Sequence, residues 1–355
     1  MKNVCIISRM PLFEAPYLNK YFNVIKKFDL IIWNRYEGIN ENCKKANRVF
    51  HYDEYAGLEY RTPAHKKILG YFCFSRYVKD IIKKNQYDIL IFFDLPIPIM
   101  MYNYLEREYK GKYIIDIRDV RNYFTNRFME IVERRLTNNS LAIVGTSPGH
   151  CRIVDEKEKF YILHNDQAIL NTNFNKRRNE RPIVISFVGV VRFYEEDLKI
   201  INILKNDPRY KLRFIGRNSE KYATFLKENN ITNVELFGEF KPNEINKFFS
   251  NTNLVMNLYG NNSDHVRFAL SNKLYFAARN KIPILVNSNT YMAKIVKEYG
   301  LGIVIDYKVD DVKEKIQTEY GSIDWKKFEK NCEGFIKKVE KDNTLWSKMI
   351  VDCCN

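Results

Sequence analysis

The sequence predicts an α/β protein built from two doubly wound parallel-sheet domains. Its 355 residues match the length of two domains of about 100–200 residues each. Short apolar segments alternate with amphipathic helical segments, which indicates crossover connections and therefore parallel sheets. The alternation stops in a polar stretch near the middle of the chain and then starts again, which predicts a second domain of the same class.

The first half contains six segments with the short apolar runs of buried strands. Between them lie segments with the spacing of amphipathic helices, predicted at 17–28, 63–84, 99–109 and 126–136. We assign residues 1–170 to the N-terminal domain. The predicted strands are 3–8, 29–33, 88–93, 113–117, 141–144 and 160–163.

The second half repeats this organisation after a linker. Residues 171–182 are polar and charged and lack apolar periodicity, so we place the linker there and the C-terminal domain at 183–330. The final segment, 331–355, is predicted to be a helix that packs back towards the N-terminal domain. The predicted strands of this half are 183–188, 212–215, 234–237, 254–257, 284–286 and 302–305.

The net charge of +15 and the pI near 9.3 favour an anionic partner. Nucleic acid, a phosphorylated substrate and an acidic membrane surface all fit, and a composition bias rich in Lys and Asn is an equally simple explanation. The seven cysteines form no CxxC pair, which is typical of reduced thiols in a cytoplasm. Neither a signal peptide nor an apolar run of about 18–20 residues is visible. We expect a cytoplasmic protein that can bind peripherally to the inner face of the cell membrane.

Ligands of open parallel sheets bind outside the carboxyl ends of the strands. In the second half, Gly189, Gly216 and Gly238 each follow a predicted strand directly. Residues without a side chain let backbone N–H groups approach a ligand closely. Each glycine alone is explained as well by an ordinary turn, but three at one sheet edge indicate a ligand cleft.

Polar and basic side chains accompany these glycines, and they are candidates for binding a diphosphate. Helix N-termini add unpaired N–H groups to such a site. Surface cations and an ordinary capped helix are the alternative explanations. The residues are Arg192 and Lys199 after Gly189, Arg217 after Gly216, and the helix start formed by Ser271, Asn272 and Lys273.

Other nucleotide motifs are absent from the sequence. Neither a GxxxxGK[ST] loop nor a GxGxxG segment after the first strand occurs, which disfavours a P-loop nucleotidase and a standard NAD site. No Asp-x-Asp metal motif lies in a matching place, so we expect no metal and no cofactor.

Several segments resemble the GT-B glycosyltransferases, especially glycosyltransferase family 4 and related enzymes of bacterial cell-surface polysaccharides. SNKLYFAARNKIPILV at 271–286 resembles the family's NKLYE-x-x-A-x-x-K-P-I-L-V signature, and FVGVVRFYEEDLKII at 187–201 resembles its F-V-G-x-x-R segment. The resemblance extends to LRFIG at 212–216, to 233–259, to YILHND at 161–166 and to DIRD at 116–119. One position departs from it: Phe276 stands where the family has the acidic residue that binds the donor ribose.

The resemblance implies two Rossmann-like domains that face each other across a cleft. It implies a nucleotide-diphosphate sugar as co-substrate in the C-terminal domain, and a glycan or lipid-linked acceptor in the N-terminal domain. Transfer would retain the anomeric configuration and need no metal. Within DIRD, Arg118 and Asp119 are the catalytic candidates, with Asp119 acting as a base or orienting the acceptor hydroxyl. A structural pair of Asp119 with Arg118 or Arg121 is the alternative, and Glu14 is a second candidate.

Two other functions stay open at this point. A nucleotide-sugar epimerase can share the architecture but would use no acceptor. A nucleic-acid-binding protein is supported by charge alone, since no RNP, KH-type or helix-turn-helix pattern accompanies it. The membrane hypothesis rests on residues 60–77, where aromatic and basic side chains occur together.

Overall fold

A computed structural model describes residues 2–36, 42–53, 64–118, 127–166, 178, 180–241 and 244–355. The chain divides into two compact units. The first comprises Met1–His164 with Lys341–Asn355, and the second comprises Asn165–Glu340. Each unit has a parallel sheet of its own, which confirms the predicted α/β fold class.

The first unit is a seven-stranded sheet with the order β3-β2-β1-β4-β5-β6-β7. The central strands β1, β2, β4, β5 and β6 are fully buried and mainly apolar, as expected of a parallel sheet covered on both faces, whereas the edge strands β3 and β7 are only partly buried. The strands are β1 (Val4–Ser8), β2 (Phe28–Trp33), β3 (Arg48–Tyr52), β4 (Ile89–Phe93), β5 (Tyr113–Ile117), β6 (Ala142–Gly145) and β7 (Phe160–Ile162). The helices before the second unit are α1 (Leu18–Val24), α2 (Ala64–Asn85), α3 (Pro96–Met100), α4 (Tyr102–Glu108) and α5 (Arg127–Asn138).

Successive side chains of the first sheet alternate between two cores. Ile7 and Phe92 belong to one apolar cluster, while Ile6 and Ile91 belong to the other. The last turns of the chain complete the second cluster, because Trp346 lies edge-on to Tyr21 with ring centroids 4.8 Å apart.

The second unit is a six-stranded sheet with the order β10-β9-β8-β11-β12-β13. Its strands are β8 (Ile183–Val188), β9 (Tyr210–Ile215), β10 (Val234–Phe237), β11 (Leu254–Asn257), β12 (Ile284–Asn287) and β13 (Gly302–Ile305). The remaining helices are α6 (Tyr194–Leu204), α7 (Ala223–Glu228), α8 (Ile245–Phe249), α9 (Asp264–Phe268), α10 (Asn272–Arg279), α11 (Tyr291–Tyr299), α12 (Val312–Gly321) and α13 (Trp325–Cys354).

In both sheets the strand order reverses direction at the centre. The reversal lies between β1 and β4 in the first unit and between β8 and β11 in the second. Such a switch point opens a crevice at the carboxyl ends of the strands, where doubly wound proteins bind ligands. We therefore expect ligands to bind at the loops that follow β1, β4, β8 and β11.

Two segments differ from the sequence prediction. Residues 48–52 form strand β3, which was not predicted because this edge strand is only half-buried and carries Arg48 and His51. The helix predicted at 99–109 is two helices, and the first begins at Pro96. Prolines are tolerated in a first helical turn, where the N–H groups have no intrahelical partner, so Pro96 and Pro98 begin a helix rather than prevent one.

Candidate functional site

The carboxyl edge of the second sheet is built around two closely packed glycines. Val188 pairs with Ile215 in the register of β8 and β9, so Gly189 and Gly216 follow side by side. Both have positive φ, +137° and +127°. A Cβ on Gly216 would lie 2.1 Å from the carbonyl oxygen of Gly189. Gly216 is therefore required for backbone packing, and its contribution to a ligand site is indirect.

Gly189 instead borders a side chain. A Cβ added to it would meet the ammonium nitrogen of Lys273 at 3.4 Å. This ammonium donates a hydrogen bond to the Tyr259 hydroxyl at 2.6 Å and lies 4.4 Å from the centre of the Phe187 ring. The structure thus brings together two of the predicted residues, Gly189 and Lys273, at the β8–β11 switch point.

The surroundings of Lys273 leave its charge available to an anion. Its contacts are two aromatic rings and a hydroxyl, and it makes no ion pair with any carboxylate of the described residues. Neighbouring rings attract a cation and orient it without neutralising it. We call Phe187, Tyr259 and Lys273 the lysine cradle.

Ser271 supports the cradle from the helix side. It is the N-cap of α10, and its hydroxyl accepts a hydrogen bond from the Lys273 N–H at 3.3 Å. The Ser271 hydroxyl oxygen is therefore already used to cap the helix. Asn272, the first residue of the helix, is exposed.

Acidic side chains fill the first turn of α6, which follows Gly189. Glu195, Glu196 and Asp197 stand there, and Lys199 pairs with Glu196 at 2.8 Å. Carboxylates near a helix N-terminus compete with an anionic ligand for the positive end of the helix dipole. Lys199 therefore already has a carboxylate partner. The N-terminus of α6 is a less favourable binding site for an anion than the sequence suggested.

Asp197, in the first turn of α6, is a buried carboxyl group with a raised pKa. Burial raises its pKa to about 7, while the Tyr222 hydroxyl, which donates a hydrogen bond at 2.5 Å, and the charge of Lys273 act in the opposite direction. A carboxyl group in this state can change protonation near neutral pH.

The other predicted cations lie nearer the solvent. Arg192 is exposed in the loop before α6. Arg217 pairs with Glu239 at 3.0 Å, and both side chains are about two-thirds exposed. An exposed pair of this kind contributes little by itself.

Sequence reasoning missed three residues of this edge. Phe187 and Tyr259 complete the lysine cradle, and the buried Asn257 ends β11 with a side-chain oxygen that accepts no hydrogen bond from the described residues. The signal available was their position, since each stands within two residues of the end of a predicted strand. Phe276 is buried against Phe249, with ring centroids 3.7 Å apart, so this position faces the core.

The first unit carries a second polar cluster at the switch point of its own sheet. Arg9 follows β1 and Asp94 follows β4, and their side chains form a buried ion pair, with Arg9 Nε donating to Asp94 at 3.1 Å. Asp94 also accepts a hydrogen bond from the Arg118 N–H at 3.2 Å. The Arg118 guanidinium pairs with Asp116, which is fully buried and accepts a hydrogen bond from Tyr21 at 2.6 Å.

Of the predicted catalytic residues, Arg118 belongs to this buried cluster. Glu14 lies in the short 3-10 helix Leu12–Glu14 and accepts a hydrogen bond from the Tyr36 hydroxyl. Asp119 and Arg121 lie outside the described residues. The ring of His164 is buried and contacts Asp342 at 3.1 Å.

The described part of the chain contains neither a cluster of metal ligands nor a membrane-spanning helix. Among those residues there is no group of three His, Cys, Asp or Glu that could hold a metal ion. Within the same ranges, every helix is too short or too polar to span a membrane.

Solved structures share this architecture over the whole chain. A sucrose-phosphate synthase from Thermosynechococcus elongatus superposes with a TM-score of 0.70 at 12% identity, covering 98% of both chains. The lipopolysaccharide outer core galactosyltransferase WaaB gives 0.64 at 13%, covering 97% of this chain and 98% of its own. Anabaena HepE in complex with UDP-glucose gives 0.59 at 10%, covering 99% and 100%.

These similarities define the fold. The chain has the GT-B fold, with two parallel-sheet units, as the resemblance in its sequence implied. No protein-family model and no curated protein sequence matches it.

Proposed function

We propose that the protein is a glycosyltransferase that takes a sugar from a nucleotide-diphosphate donor. The observation that carries this proposal is the ammonium of Lys273, which makes no direct ion pair with a carboxylate of the described residues and lies against Gly189 at the switch point of the second sheet. Similar structures include a galactosyltransferase and a protein in complex with UDP-glucose. An epimerase has no comparable support among these neighbours.

The donor site would combine an ammonium group, backbone N–H groups and a helix N-terminus. The diphosphate that leaves during transfer gains negative charge, and preorganised positive groups stabilise that charge. Lys273, Gly189 and the start of α10 are the central groups, with Arg192, Lys199 and Arg217 further out. We infer that this arrangement works without a metal ion, and that the anomeric configuration is retained.

Release of nucleoside diphosphate tests this function. With UDP-, GDP-, ADP- and dTDP-sugars, we expect slow hydrolysis of at least one donor, and we expect the rate to be the same in EDTA as in magnesium. Loss of all turnover in EDTA and its recovery with magnesium or manganese would contradict the metal-free mechanism.

Comparison of the product anomer with that of the donor by NMR tests retention.

We further propose that the acceptor is a glycan or lipid-linked glycan used in cell-surface polysaccharide synthesis, and that the enzyme works at the cytoplasmic face of an anionic membrane. Helix α2 supports the membrane part of this proposal. Ile68, Leu69 and Phe72 are 46%, 61% and 47% exposed, beside the exposed basic residues Lys66 and Arg76. Phe74, another aromatic residue of the segment 60–77 on which the membrane hypothesis rests, is instead fully buried in the core.

Sedimentation with vesicles tests the membrane surface. We expect pelleting with anionic vesicles at low salt and release as salt rises, because surface charge is screened over about 8–10 Å at physiological ionic strength. The double variant Leu69→Asp/Phe72→Asp should bind at least tenfold more weakly. Val309→Asp is the control, since Val309 is 80% exposed in the other unit. Wild-type protein that stays in the supernatant would refute the membrane proposal.

A further inference from the structure

The loop that follows β11 carries the hydroxyl group that holds Lys273. We call residues 258–263, which connect β11 to α9, the β11 loop. Tyr259 lies in this loop, and its hydroxyl accepts the 2.6 Å hydrogen bond from the Lys273 ammonium. The place of the ammonium against Gly189 therefore depends on how the β11 loop is fixed.

Strand β12 anchors the backbone of the β11 loop. The Gly260 N–H donates a buried hydrogen bond of 2.9 Å to Oδ1 of Asn287, the last residue of β12. The Asn261 amide donates to the carbonyl of Ser288 at 3.4 Å. A buried N–H group that loses its partner costs free energy, so the Asn287 contact fixes the loop at its centre.

The start of α6 also holds the β11 loop. A Cβ on Gly260 would lie 2.9 Å from Cδ of Glu196, so this carboxyl group packs directly against the Gly260 backbone. The same carboxylate accepts a hydrogen bond from Asn262 Nδ2 at 3.4 Å. Phe193, immediately before α6, packs on the Tyr259 ring with centroids 4.4 Å apart. One helical turn thus contacts three residues of the loop.

Glu196 is a buried carboxylate, 8% exposed, that pairs with Lys199 at 2.8 Å. Burial of a carboxylate is costly unless charge pairing and hydrogen bonds replace its hydration. Lys199 and Asn262 supply these contacts and keep the carboxylate against Gly260. Its negative charge is unfavourable for a diphosphate bound nearby. The contribution that Glu196 can make to donor binding is therefore its contact with the β11 loop.

We propose that Glu196 is a positioning residue for the nucleotide-sugar donor. It holds the β11 loop so that Tyr259 keeps the Lys273 ammonium against Gly189. Lys199 contributes through Glu196, since it neutralises and orients the carboxylate. This inference deepens the proposed function and rests on it in one respect, which is that Lys273 contacts the donor diphosphate.

Calorimetric titration of the full chain tests this role through the sign of the effect. The titrant is whichever of UDP-, GDP-, ADP- and dTDP-glucose the wild type binds most tightly. Glu196→Ala removes a negative charge near an anionic ligand, so electrostatics alone would tighten binding. Loss of the loop contacts acts in the opposite direction, and we expect binding about tenfold weaker.

Three further variants separate the contacts from the charge. Glu196→Gln keeps an oxygen that can accept from Asn262 and pack against Gly260, and should bind the donor within about threefold of the wild type. Asn262→Ala removes the same hydrogen bond at an exposed position and should weaken binding about threefold. Glu195→Ala is the matched control, an exposed carboxylate in the same helical turn, and should leave the affinity unchanged.

A double-mutant cycle with Lys273→Met shows whether Glu196 acts through the ammonium. Residues that act through one another have non-additive effects, whereas independent effects add. In the Lys273→Met background, Glu196→Ala should therefore weaken donor binding less than about twofold. A merely structural role would give the same loss of affinity in both backgrounds.

Wild-type or tighter donor binding by Glu196→Ala would overturn the inference, and so would wild-type binding by Asn262→Ala if the first variant fails to fold. An equal loss in Glu196→Gln and Glu196→Ala, or an undiminished loss in the Lys273→Met background, would also overturn it. These outcomes leave the proposed function standing, because the wild type binds a donor. If the wild type binds none of the four nucleotide sugars, the glycosyltransferase proposal itself is refuted, and the positioning role with it.

Discussion

Replacing Lys273 with Met should weaken binding of the nucleotide-sugar donor by about 10–150-fold. This range corresponds to the loss of about 1.5–3 kcal/mol for a hydrogen bond to a charged group. Met retains an unbranched apolar side chain that can pack between Phe187 and Tyr259, so the substitution removes the charge and leaves most of the packing. Calorimetric titration with the donor measures the effect.

The control for this variant is Lys211→Met. Lys211 is the second residue of β9, at the amino end of the same sheet, and it pairs with Glu235 while about 40% exposed. Its replacement should change donor affinity less than twofold. Wild-type affinity in Lys273→Met, with an unchanged melting temperature, would show that the diphosphate is bound elsewhere.

Asp197→Asn should change how the stability of the protein depends on pH. The pKa of this carboxyl is about 7 in the folded protein and about 3.9 in an unfolded chain, so between these values the folded state holds the proton more tightly. The free energy of unfolding of the wild type therefore falls, through this group, as pH rises from about 4 to 7.

The Asn variant lacks this loss and keeps an oxygen that can accept the Tyr222 hydrogen bond. Between pH 4 and pH 8, the free energy of unfolding of the variant should rise by about 1–4 kcal/mol relative to that of the wild type, since each unit of pKa shift corresponds to about 1.4 kcal/mol. Urea denaturation at several pH values measures the difference. Glu195→Gln, an exposed change in the same helical turn, should give no such trend. A stability difference that is independent of pH would contradict the buried, proton-binding state of Asp197.

Local sequence pattern was enough to predict most of the fold. Strands such as Ile183–Val188 and Val234–Phe237 are short, mainly apolar segments followed directly by Gly, and they lie where they were predicted. Strand β3 could not be predicted in the same way, because its residues are half-buried at a sheet edge and its pattern resembles a loop.

The site was less predictable because long-range register creates it. Lys273 was identified from its place at a helix start, but its contacts depend on Phe187, near the end of β8, and Tyr259, two residues beyond the end of β11; these strands are neighbours in the sheet but far apart in the sequence. The same applies to Arg118 in the first unit, whose buried Nε and Nη1 have no hydrogen-bond partner among the described residues, a feature that becomes visible only when burial is known. The i, i+3 pair of Lys199 with Glu196 is a local feature, and the sequence alone could have indicated it.

We propose that the carboxyl edge of the second sheet holds a nucleotide-diphosphate sugar for transfer. The decisive measurement is nucleoside diphosphate release, in EDTA, for the wild type and Lys273→Met in parallel across the four nucleotide sugars. We expect release from at least one donor by the wild type, and a rate at least tenfold lower for Lys273→Met at a donor concentration below the wild-type Kd. No release from any donor, or equal release by the two proteins, would rule this site out.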